Sequence, residues 1–469
     1  MGMSYETQAG LEGGRSFHIR TYGCQMNVHD SEKIANLLAH AGFAENPEDE
    51  DADLLIVNTC SIREKAEHRL YTDLGRLRAW KERRPGRLLG VAGCVAQQEG
   101  DGILRRFPTV DFVCGTHNLR WVPAMVEAAE QGRRSLRTEE DPSRARFELP
   151  ERHPGLASPT PGRAFVTVME GCDMFCSFCI VPTTRGREVS RSAASIVDEV
   201  RALADRGVVE VTLLGQTVNA YGRHDLRRGR ADDQGTTGFA DLLAALDAVP
   251  GIERIRYTSP HPIFFDDALI DAHGGLTSLC PHVHLPVQSG SDAVLEAMRR
   301  RYRGDEVRAL VERLRTARPD LAFTTDLIVG FPGESDADFE ATLELVRDAG
   351  FVDSYSFKYS PRPGTRAAEL PEAVAPERAQ ERLEALQELQ RAQTLAAHRA
   401  RVGSETEVLV EGASRRGDQR SGRDPYHRVV NLAGPAEPGP GPGARVAVQI
   451  VEATPHSLIG ELSPAAVPR

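Results

Sequence analysis

The 469-residue chain has no run of about 18 uncharged apolar residues, the length that a membrane-spanning helix requires. Its first 14 residues are polar and lack the apolar centre of a secretory signal. We therefore expect a cytoplasmic protein that does not enter a membrane. A content of 40% hydrophobic and 27% charged residues is typical of globular domains, and the length suggests two to four of them.

Positive charge is also scarce, because the formal net charge is −11 and only four residues are lysine, namely Lys33, Lys65, Lys81 and Lys358. A field of this sign does not attract nucleic acid, so RNA binding would have to come from local arginine clusters. One cluster lies in residues 414–428, where five arginines outnumber two aspartates and give a local charge of +3: Arg415, Arg416, Arg420, Arg423, Arg428, Asp418 and Asp424. A second, which could equally be a solvated loop, contains Arg223, Arg227, Arg228 and Arg230.

The eight cysteines are expected to be metal ligands or buried thiols, because disulfides are rare in a reducing cytoplasm. The strongest motif, here called the motif triad, is Cys172-x3-Cys176-x2-Cys179. Three thiolates within eight residues can bind a four-iron cluster and leave one iron without a protein ligand. The motif follows a predicted strand at 164–169, where barrel enzymes place their active sites. A structural zinc site with a distant fourth ligand is the alternative.

Three further cysteines form what we call the upstream triad, Cys24, Cys60 and Cys94. Each follows one of the first three predicted strands, at 16–21, 53–58 and 88–92. The carboxyl ends of parallel strands share one edge of a sheet, so these thiols could hold a second cluster. From the residues alone, three small turn residues that happen to be cysteine remain an equal alternative. Cys114 and Cys280 are expected to be buried, unreactive thiols.

The order of strands and helices predicts an α/β protein with three domains. Residues 15–131 alternate strands and helices, which indicates a doubly wound parallel sheet. Residues 132–157 are rich in Arg, Glu and Pro and are expected to be a linker. Residues 158–390 contain six β/α units and predict a partial (β/α)6 barrel. Residues 391–462 have short β-like runs at 405–410, 428–432, 445–451 and 457–462, which predict a small all-β barrel.

Segments 23–27, 58–66 and 92–94 around the upstream triad, and 179–188 after the motif triad, resemble the methylthiotransferase family of radical S-adenosylmethionine enzymes. The resemblance covers nearly the whole chain. It implies an N-terminal domain with an auxiliary cluster, a radical core and a C-terminal TRAM domain that binds RNA. It also implies two [4Fe–4S] clusters, one on each triad, with S-adenosylmethionine on the motif cluster as the source of a 5′-deoxyadenosyl radical.

The reaction that the resemblance implies is insertion of a methylthio group at carbon 2 of N6-isopentenyladenosine 37 in the tRNA anticodon loop. Segments 24–32 and 61–65 favour this branch over those that modify N6-threonylcarbamoyladenosine or a ribosomal-protein aspartate. A non-catalytic, RNA-binding iron–sulfur protein is the alternative from another class. We further expect a monomer that takes electrons from a low-potential donor such as flavodoxin or ferredoxin.

Finer contacts are also expected. Strand-end residues predicted to contact S-adenosylmethionine are Gly215, Gln216, Ser259 and Gln288. Segment 326–334 follows the superfamily's adenine-contact pattern only loosely, because Asp326 replaces a glycine and Glu334 falls one place late. Residues predicted to bind RNA are Arg415, Arg416, Arg420 and Arg423. Three arginines after the motif triad are expected either to pair with a carboxylate or tRNA phosphate or to be solvated: Arg185, Arg187 and Arg191.

Overall fold

A computed structural model describes residues 14–62, 64–156, 160–224, 237–414, 417, 419–434 and 439–463. These residues form two compact units. Unit 1 is the described part of Met1–Ala157, Glu170–Asp173 and Ile180–Val189, and unit 2 that of Ser158–Met169, Met174–Cys179 and Ser190–Arg469. Among the described residues, no helix is both long and apolar enough to cross a membrane. The domain boundaries drawn from the sequence stay a prediction.

Unit 1 is built on a six-stranded parallel sheet with the order β2-β1-β3-β4-β5-β6. Its strands are β1 (Ser16–Tyr22), β2 (Ala44–Glu45), β3 (Leu54–Thr59), β4 (Leu88–Gly93), β5 (Phe112–Cys114) and β6 (Ser135–Arg137). The two central strands, β3 and β4, are buried along their whole length, as near-continuous apolar strands covered on both faces should be. The expected linker contributes β6 to this sheet.

The helices of unit 1 are α1 (Gln25–His40), α2 (Glu64–Glu82), α3 (Cys94–Glu99), α4 (Asp101–Arg106), α5 (Val122–Glu130) and, from the later segment, α6 (Val181–Arg185). Both faces of the sheet are covered by helices. Ile34 of α1 and Val122 of α5 belong to one apolar cluster, whereas Leu70 of α2 and Ile103 of α4 belong to another. The prediction of a doubly wound sheet is therefore confirmed. Helices α1 and α2 leave β1 and β3 on opposite faces, so the order of the strands reverses between those two.

Unit 2 contains the six predicted β/α strands, arranged as two parallel three-stranded sheets. They are β7 (Arg163–Thr167), β10 (Glu210–Leu214) and β11 (Arg254–Tyr257), then β12 (His282–His284), β13 (Ala322–Val329) and β14 (Asp353–Lys358). The two-residue strands β8 (Met169–Glu170) and β9 (Val189–Ser190) lie where the chain passes between units. A parallel bridge between Ile255 and Leu279 links the two sheets. This arrangement confirms the partial barrel.

The helices of unit 2 alternate with its strands: α7 (Ala193–Asp205), α8 (Phe239–Asp247), α9 (Asp267–Gly275), α10 (Asp292–Ala297), α11 (Gly304–Ala317), α12 (Asp336–Ala349) and α13 (Pro376–Arg399). One large apolar cluster forms the core between strands and helices, and Leu213, Val283 and Phe323 are fully buried in it. Apolar residues recur at the helical period on the face of these helices that packs against the strands. The alternation of strands and helices could therefore be predicted from the sequence.

The C-terminal part of unit 2 is a closed five-stranded barrel with the order β15-β16-β17-β19-β18. Its strands are β15 (Glu405–Ala413), β16 (Arg420–Arg423), β17 (Val429–Leu432), β18 (Arg445–Ala453) and β19 (Leu458–Leu462). Four of them were predicted, and the all-β barrel is confirmed. The fifth, β16, escaped prediction because its sequence Arg-Ser-Gly-Arg carries no apolar alternation.

A buried charge network joins this barrel to the core sheet of unit 2. Glu210 of β10 is 1% exposed and lies 3.1 Å from Arg256, 3.2 Å from Arg163 and 3.6 Å from Arg254. Arg254 and Arg256 also donate hydrogen bonds to barrel carbonyl oxygens, the latter to Asp424 at 2.8 Å. One carboxylate therefore holds the arginines that dock the barrel.

Candidate metal centres and their surroundings

The upstream triad lies at the carboxyl edge of the unit 1 sheet, where the strand order reverses. Cys24 caps the start of α1 directly after β1, Cys60 follows β3, and Cys94 is the first residue of α3 after β4. Cys60 and Cys94 are buried, and Cys24 is half-buried. Because these three strands are neighbours, the fold brings together three thiols that are 36 and 34 residues apart in sequence.

The three thiols interact directly. Hydrogen bonds with Cys60 lower the pKa of Cys24 to about 6 and that of Cys94 to about 7, and they raise the pKa of Cys60. Three thiols that share hydrogen bonds at one edge of a sheet can together supply thiolate ligands to one metal centre, either a zinc ion or an iron–sulfur cluster.

Two glycines make this close arrangement possible. Gly23, with φ +150°, would place a Cβ 2.3 Å from the Cβ of Cys60. Gly93, with φ +94°, would place one 2.2 Å from Oδ1 of Asn58. Any side chain at either position would push a neighbouring loop away, so both glycines preceding cysteines are required by the geometry of the triad.

A network of hydrogen bonds fixes the loops that carry Cys24 and Cys60. Cys24 Sγ donates to Oδ1 of Asn27 at 3.2 Å, and Asn27 Nδ2 donates to Oδ1 of Asn58 at 3.2 Å. Asn58 Nδ2 in turn donates to the Asn27 carbonyl at 2.8 Å and to Oγ of Ser31 at 2.9 Å. Cys60 Sγ accepts the N–H of Ile62 at 3.3 Å. Buried polar groups that are all paired in this way define one conformation of the thiols.

The three arginines that follow the motif triad all pair with carboxylates. Arg185 is buried and donates to Oδ2 of Asp30 at 2.6 Å. Arg187 pairs with Asp173, and Arg191 lies 2.6 Å from Glu199. Arg185 and Arg191 are therefore paired and largely removed from solvent, whereas the Arg187 side chain is 62% exposed although it pairs with Asp173.

The motif triad begins in unit 1 and ends in unit 2. The N–H of Cys172 donates to the carbonyl of Gly186 at 3.1 Å within unit 1. In unit 2, the N–H of Cys179 donates to the carbonyl of Cys176 at 3.0 Å and closes a turn between them. Cys172 and Cys176 are buried, and Cys179 is half-buried. The loop is thus ordered by its own backbone.

Arg300 contacts this motif, and the sequence offered no signal for it. Its Nη1 donates to Sγ of Cys176 at 3.4 Å, its Nε to the hydroxyl of Tyr302 at 2.8 Å, and its Nη2 to the carbonyl of Pro286 at 2.8 Å. Arg300 is buried in unit 2. Hydrogen bonds to ligand sulfur are among the factors that set the potential of an iron–sulfur cluster, so Arg300 belongs to the site.

The residues predicted to contact S-adenosylmethionine all lie at carboxyl ends of barrel strands. Gly215 and Gln216 follow β10, Ser259 follows β11 and Gln288 follows β12. Ser259 and Gln288 adopt left-handed φ values of +58° and +70°, which non-glycine residues keep only where the fold enforces them and which cluster at ligand sites. The contacts themselves stay a prediction.

Glu334 has a structural partner. Its Oε2 lies 2.7 Å from Nη1 of Arg382 and accepts the N–H of Gly330, also at 2.7 Å. Burial raises the pKa of this carboxyl group. Glu334 therefore ties the turn after β13 to α13, which agrees with the poor fit of this segment to an adenine-contact pattern.

Of the four arginines predicted to bind RNA, Arg415 and Arg416 lie outside the described residues. Arg420 and Arg423 are half-buried on β16. Arg423 lies 3.1 Å from Glu411 and donates to the carbonyl of His427 at 3.0 Å, so its side chain is paired with other residues of the barrel. The RNA contacts stay a prediction.

The second arginine cluster is described only at Arg223. This residue stacks on Phe264 at 4.9 Å and lies 3.5 Å from Asp266, whereas Arg227, Arg228 and Arg230 lie outside the described residues.

Cys114 and Cys280 are buried as expected, and burial raises their pKa to about 12 and about 11. Both are therefore thiols at neutral pH, which is the unreactive form.

Three known families match successive segments of the chain. Residues 16–115 match the uncharacterized protein family UPF0004, residues 166–346 the radical SAM superfamily, and residues 399–463 the TRAM domain. The first match contains the upstream triad, the second contains the motif triad, and the third corresponds to the C-terminal barrel.

Several relatives of nearly full length share one name. A tRNA-2-methylthio-N(6)-dimethylallyladenosine synthase from Cereibacter sphaeroides is 50% identical over 448 residues, which is 95% of this chain and 98% of that protein. One from Geobacter metallireducens is 47% identical and covers 97% and 99%. Among solved structures, the radical S-adenosylmethionine methyltransferase TsrM from Kitasatospora setae matches with a TM-score of 0.52 and 15% identity over 76% of this chain and 77% of that one. At that identity the structural likeness concerns the fold alone.

Proposed function

The chain belongs to the family of tRNA-2-methylthio-N(6)-dimethylallyladenosine synthases, which are radical S-adenosylmethionine enzymes, and from this premise we propose that it converts N6-isopentenyladenosine 37 of tRNA to its 2-methylthio derivative. One observation carries the proposal. Beside the motif triad, a second set of three thiols converges at one sheet edge in unit 1. Radical formation alone needs one triad, so the second points to a reaction that also inserts sulfur.

Two [4Fe–4S] clusters and S-adenosylmethionine are the cofactors of this reaction. The motif triad would hold one cluster and the upstream triad the other, and when bound these groups supply the carbon-centred radical and the sulfur. Three thiolates per cluster leave one iron open to a further ligand. In the upstream triad, hydrogen bonds with Cys60 lower the pKa of Cys24 and Cys94 and so favour the thiolate form that binds iron.

The substrate contacts in the proposal follow from position. Gly215, Gln216, Ser259 and Gln288 would contact S-adenosylmethionine at the mouth of the partial barrel. The C-terminal barrel would bind the tRNA anticodon loop, with Arg415, Arg416, Arg420 and Arg423 as its cationic residues. If three of these arginines contact phosphates of single-stranded RNA, raising the salt concentration from 50 to 200 mM would weaken binding roughly tenfold to twentyfold. We place the enzyme in the cytoplasm, as a monomer reduced by flavodoxin or ferredoxin.

The test compares three versions of the protein in a strain that lacks it and has no second copy. Wild type should restore 2-methylthio-N6-isopentenyladenosine in nucleoside mass spectrometry of tRNA digests, whereas Cys24→Ala and Cys172→Ala should not. In anaerobic assays with S-adenosylmethionine and a reductant, Cys24→Ala should still release 5′-deoxyadenosine and Cys172→Ala should not.

Each alternative gives a different result in the same experiment. Accumulation of unmodified N6-threonylcarbamoyladenosine would identify the other tRNA substrate, and an unchanged digest would direct attention to a ribosomal protein. Failure of the wild-type protein to form 5′-deoxyadenosine would favour a non-catalytic RNA-binding protein. Undiminished 2-methylthio-N6-isopentenyladenosine in the deletion strain would contradict the proposal.

A further inference from the structure

The segment that leaves the motif triad is built into unit 1. Residues Ile180–Val189 belong to this unit, and α6 ends there at Arg185. Oγ1 of Thr116 donates to the carbonyl of Thr184 at 2.5 Å, and a Cβ on Gly186 would lie 2.8 Å from Cε1 of His117. The backbone on both sides of Arg185 is therefore held against the end of the sheet that carries the upstream triad.

The Arg185 side chain is enclosed but only partly paired. It is 3% exposed, and its Nη2 donates to Oδ2 of Asp30, whose side chain is 1% exposed. Nη1 is buried and has no hydrogen-bond partner among the described residues. A buried guanidinium N–H without an acceptor is costly, so a plain structural ion pair is an incomplete account of this residue.

Packing within unit 1 brings Arg185 near the upstream triad. Arg185 ends α6, and α6 packs against α3, whose first residue is Cys94. Its partner Asp30 lies on α1, the helix that begins after Cys24. In agreement with this position, Arg185 is among the groups that lower the pKa of Cys24 and Cys94.

Asp30 fixes the orientation of Arg185. It lies on α1, six residues after Cys24, and its Oδ1 is 3.8 Å from Nζ of Lys33. Lys33 is occupied by Glu170 at 3.2 Å, and Glu170 is also approached by Arg146 at 3.6 Å. Arg185 is therefore the arginine of this buried network that pairs with Asp30 on α1.

We propose that Arg185 is a positioning residue of the upstream triad, whose guanidinium donates to the anionic iron–sulfur group held by Cys24, Cys60 and Cys94 and raises its reduction potential. The inference rests on the proposed function, because it assumes that this triad holds a cluster. A positive charge stabilises the reduced, more negative form, so removing it lowers the potential, whereas removing the negative charge of Asp30 raises it.

The experiment uses the reconstituted full chain with Ala at all three motif cysteines, so that the upstream triad is the remaining predicted cluster site. Iron is quantified, and the potential is measured by redox titration with paramagnetic resonance. Arg185→Met should shift the reduction equilibrium about tenfold toward the oxidised form, which is about 59 mV for one electron. Asp30→Asn should shift it in the opposite direction, and Arg185→Lys should stay near the parent protein.

Arg87→Met is the matched control. Arg87 is also a buried arginine of unit 1, stacked on Trp80 at 4.6 Å, but it precedes β4 at the end opposite to Cys94. The length of that strand, about 20 Å at 3.3 Å per residue, separates it from the triad. Its replacement should leave the potential unchanged.

The double variant Asp30→Asn/Arg185→Met decides between the two roles, because it removes both members of the buried pair and leaves neither charge unpaired. If Arg185 only neutralises Asp30, the double variant should have the potential of Asp30→Asn. If Arg185 acts on the cluster, the reduction potential of the double variant should lie about 59 mV below that of Asp30→Asn, which is about tenfold in the equilibrium constant for one electron. The first result would overturn the inference. Absence of iron in the parent protein would instead overturn the proposed function.

Discussion

Replacing Glu210 by glutamine is expected to destabilise unit 2 by about 3 to 5 kcal/mol, the usual cost of breaking a buried ion pair from one side. The side chains of Arg254 and Arg256 are 5% and 4% exposed, and that of Arg163 is 15% exposed. Glutamine keeps the shape of the side chain but leaves these guanidinium groups without their shared anion. For a unit of this size, each kcal/mol lowers Tm by about 2 °C, so a drop of about 6 to 10 °C is expected.

The positions of the two tryptophans allow the unfolding of unit 1 to be followed separately. Trp80 and Trp121 both belong to unit 1, so their fluorescence follows that unit, whereas far-ultraviolet circular dichroism follows both. Scans of the reconstituted protein at one fixed rate should show a lower circular-dichroism transition for Glu210→Gln and an unchanged fluorescence transition. A fixed rate is needed because loss of clusters makes unfolding irreversible.

Glu340→Gln is the control, because it removes the same charge from an exposed pair of unit 2. Glu340 and Arg347 lie 2.9 Å apart with side chains 55% and 48% exposed, so the expected change is at most about 0.5 kcal/mol, or about 1 °C. Equal shifts for the two variants would refute the reasoning, as would a fluorescence transition that moves together with the circular-dichroism transition.

The pH dependence of this effect has a defined sign. Burial raises the pKa of Glu210, but Arg256 and Arg163 outweigh it and lower the pKa below the ordinary value of 4.5. The carboxylate therefore contributes stability that is fully present above the unfolded pKa and is lost as the pH falls through the folded one. The difference in Tm between wild type and Glu210→Gln should be the same at pH 8 and pH 6.

Three further outcomes are expected. Reconstituted wild type should contain about eight irons, falling to about four with Ala at either triad, whereas loss from only one triad would contradict a two-cluster protein. Gly93→Ala should lower the iron bound by the upstream triad because its Cβ would lie 2.2 Å from Oδ1 of Asn58, unlike Gly132→Ala, which has a similar φ of +75° and open space. Arg300→Met should lower the potential of the motif cluster, measured in protein without the upstream triad, because Cys176 loses its hydrogen bond; an unchanged potential would show that this contact is incidental.

Much of the fold followed from local patterns. The six barrel strands were predicted because each is an apolar or alternating run followed by a helical period, so both signals are local in the sequence. β6 and β16 were missed for the opposite reason. β6 has three half-buried residues at a sheet edge, and β16 has a polar sequence, so their neighbours in space make them strands.

The same division applies to the sites. The sequence by itself determined the motif triad, since Cys172, Cys176 and Cys179 need only one loop to converge, and it located the members of the upstream triad at strand ends. Only the tertiary structure decided that Arg185 meets Asp30, 155 residues away, and that Arg300 meets Cys176, 124 residues away. Spacing and periodicity report on neighbours along the chain, whereas the charges that surround a buried thiol are set by strand order and by which helix covers which face.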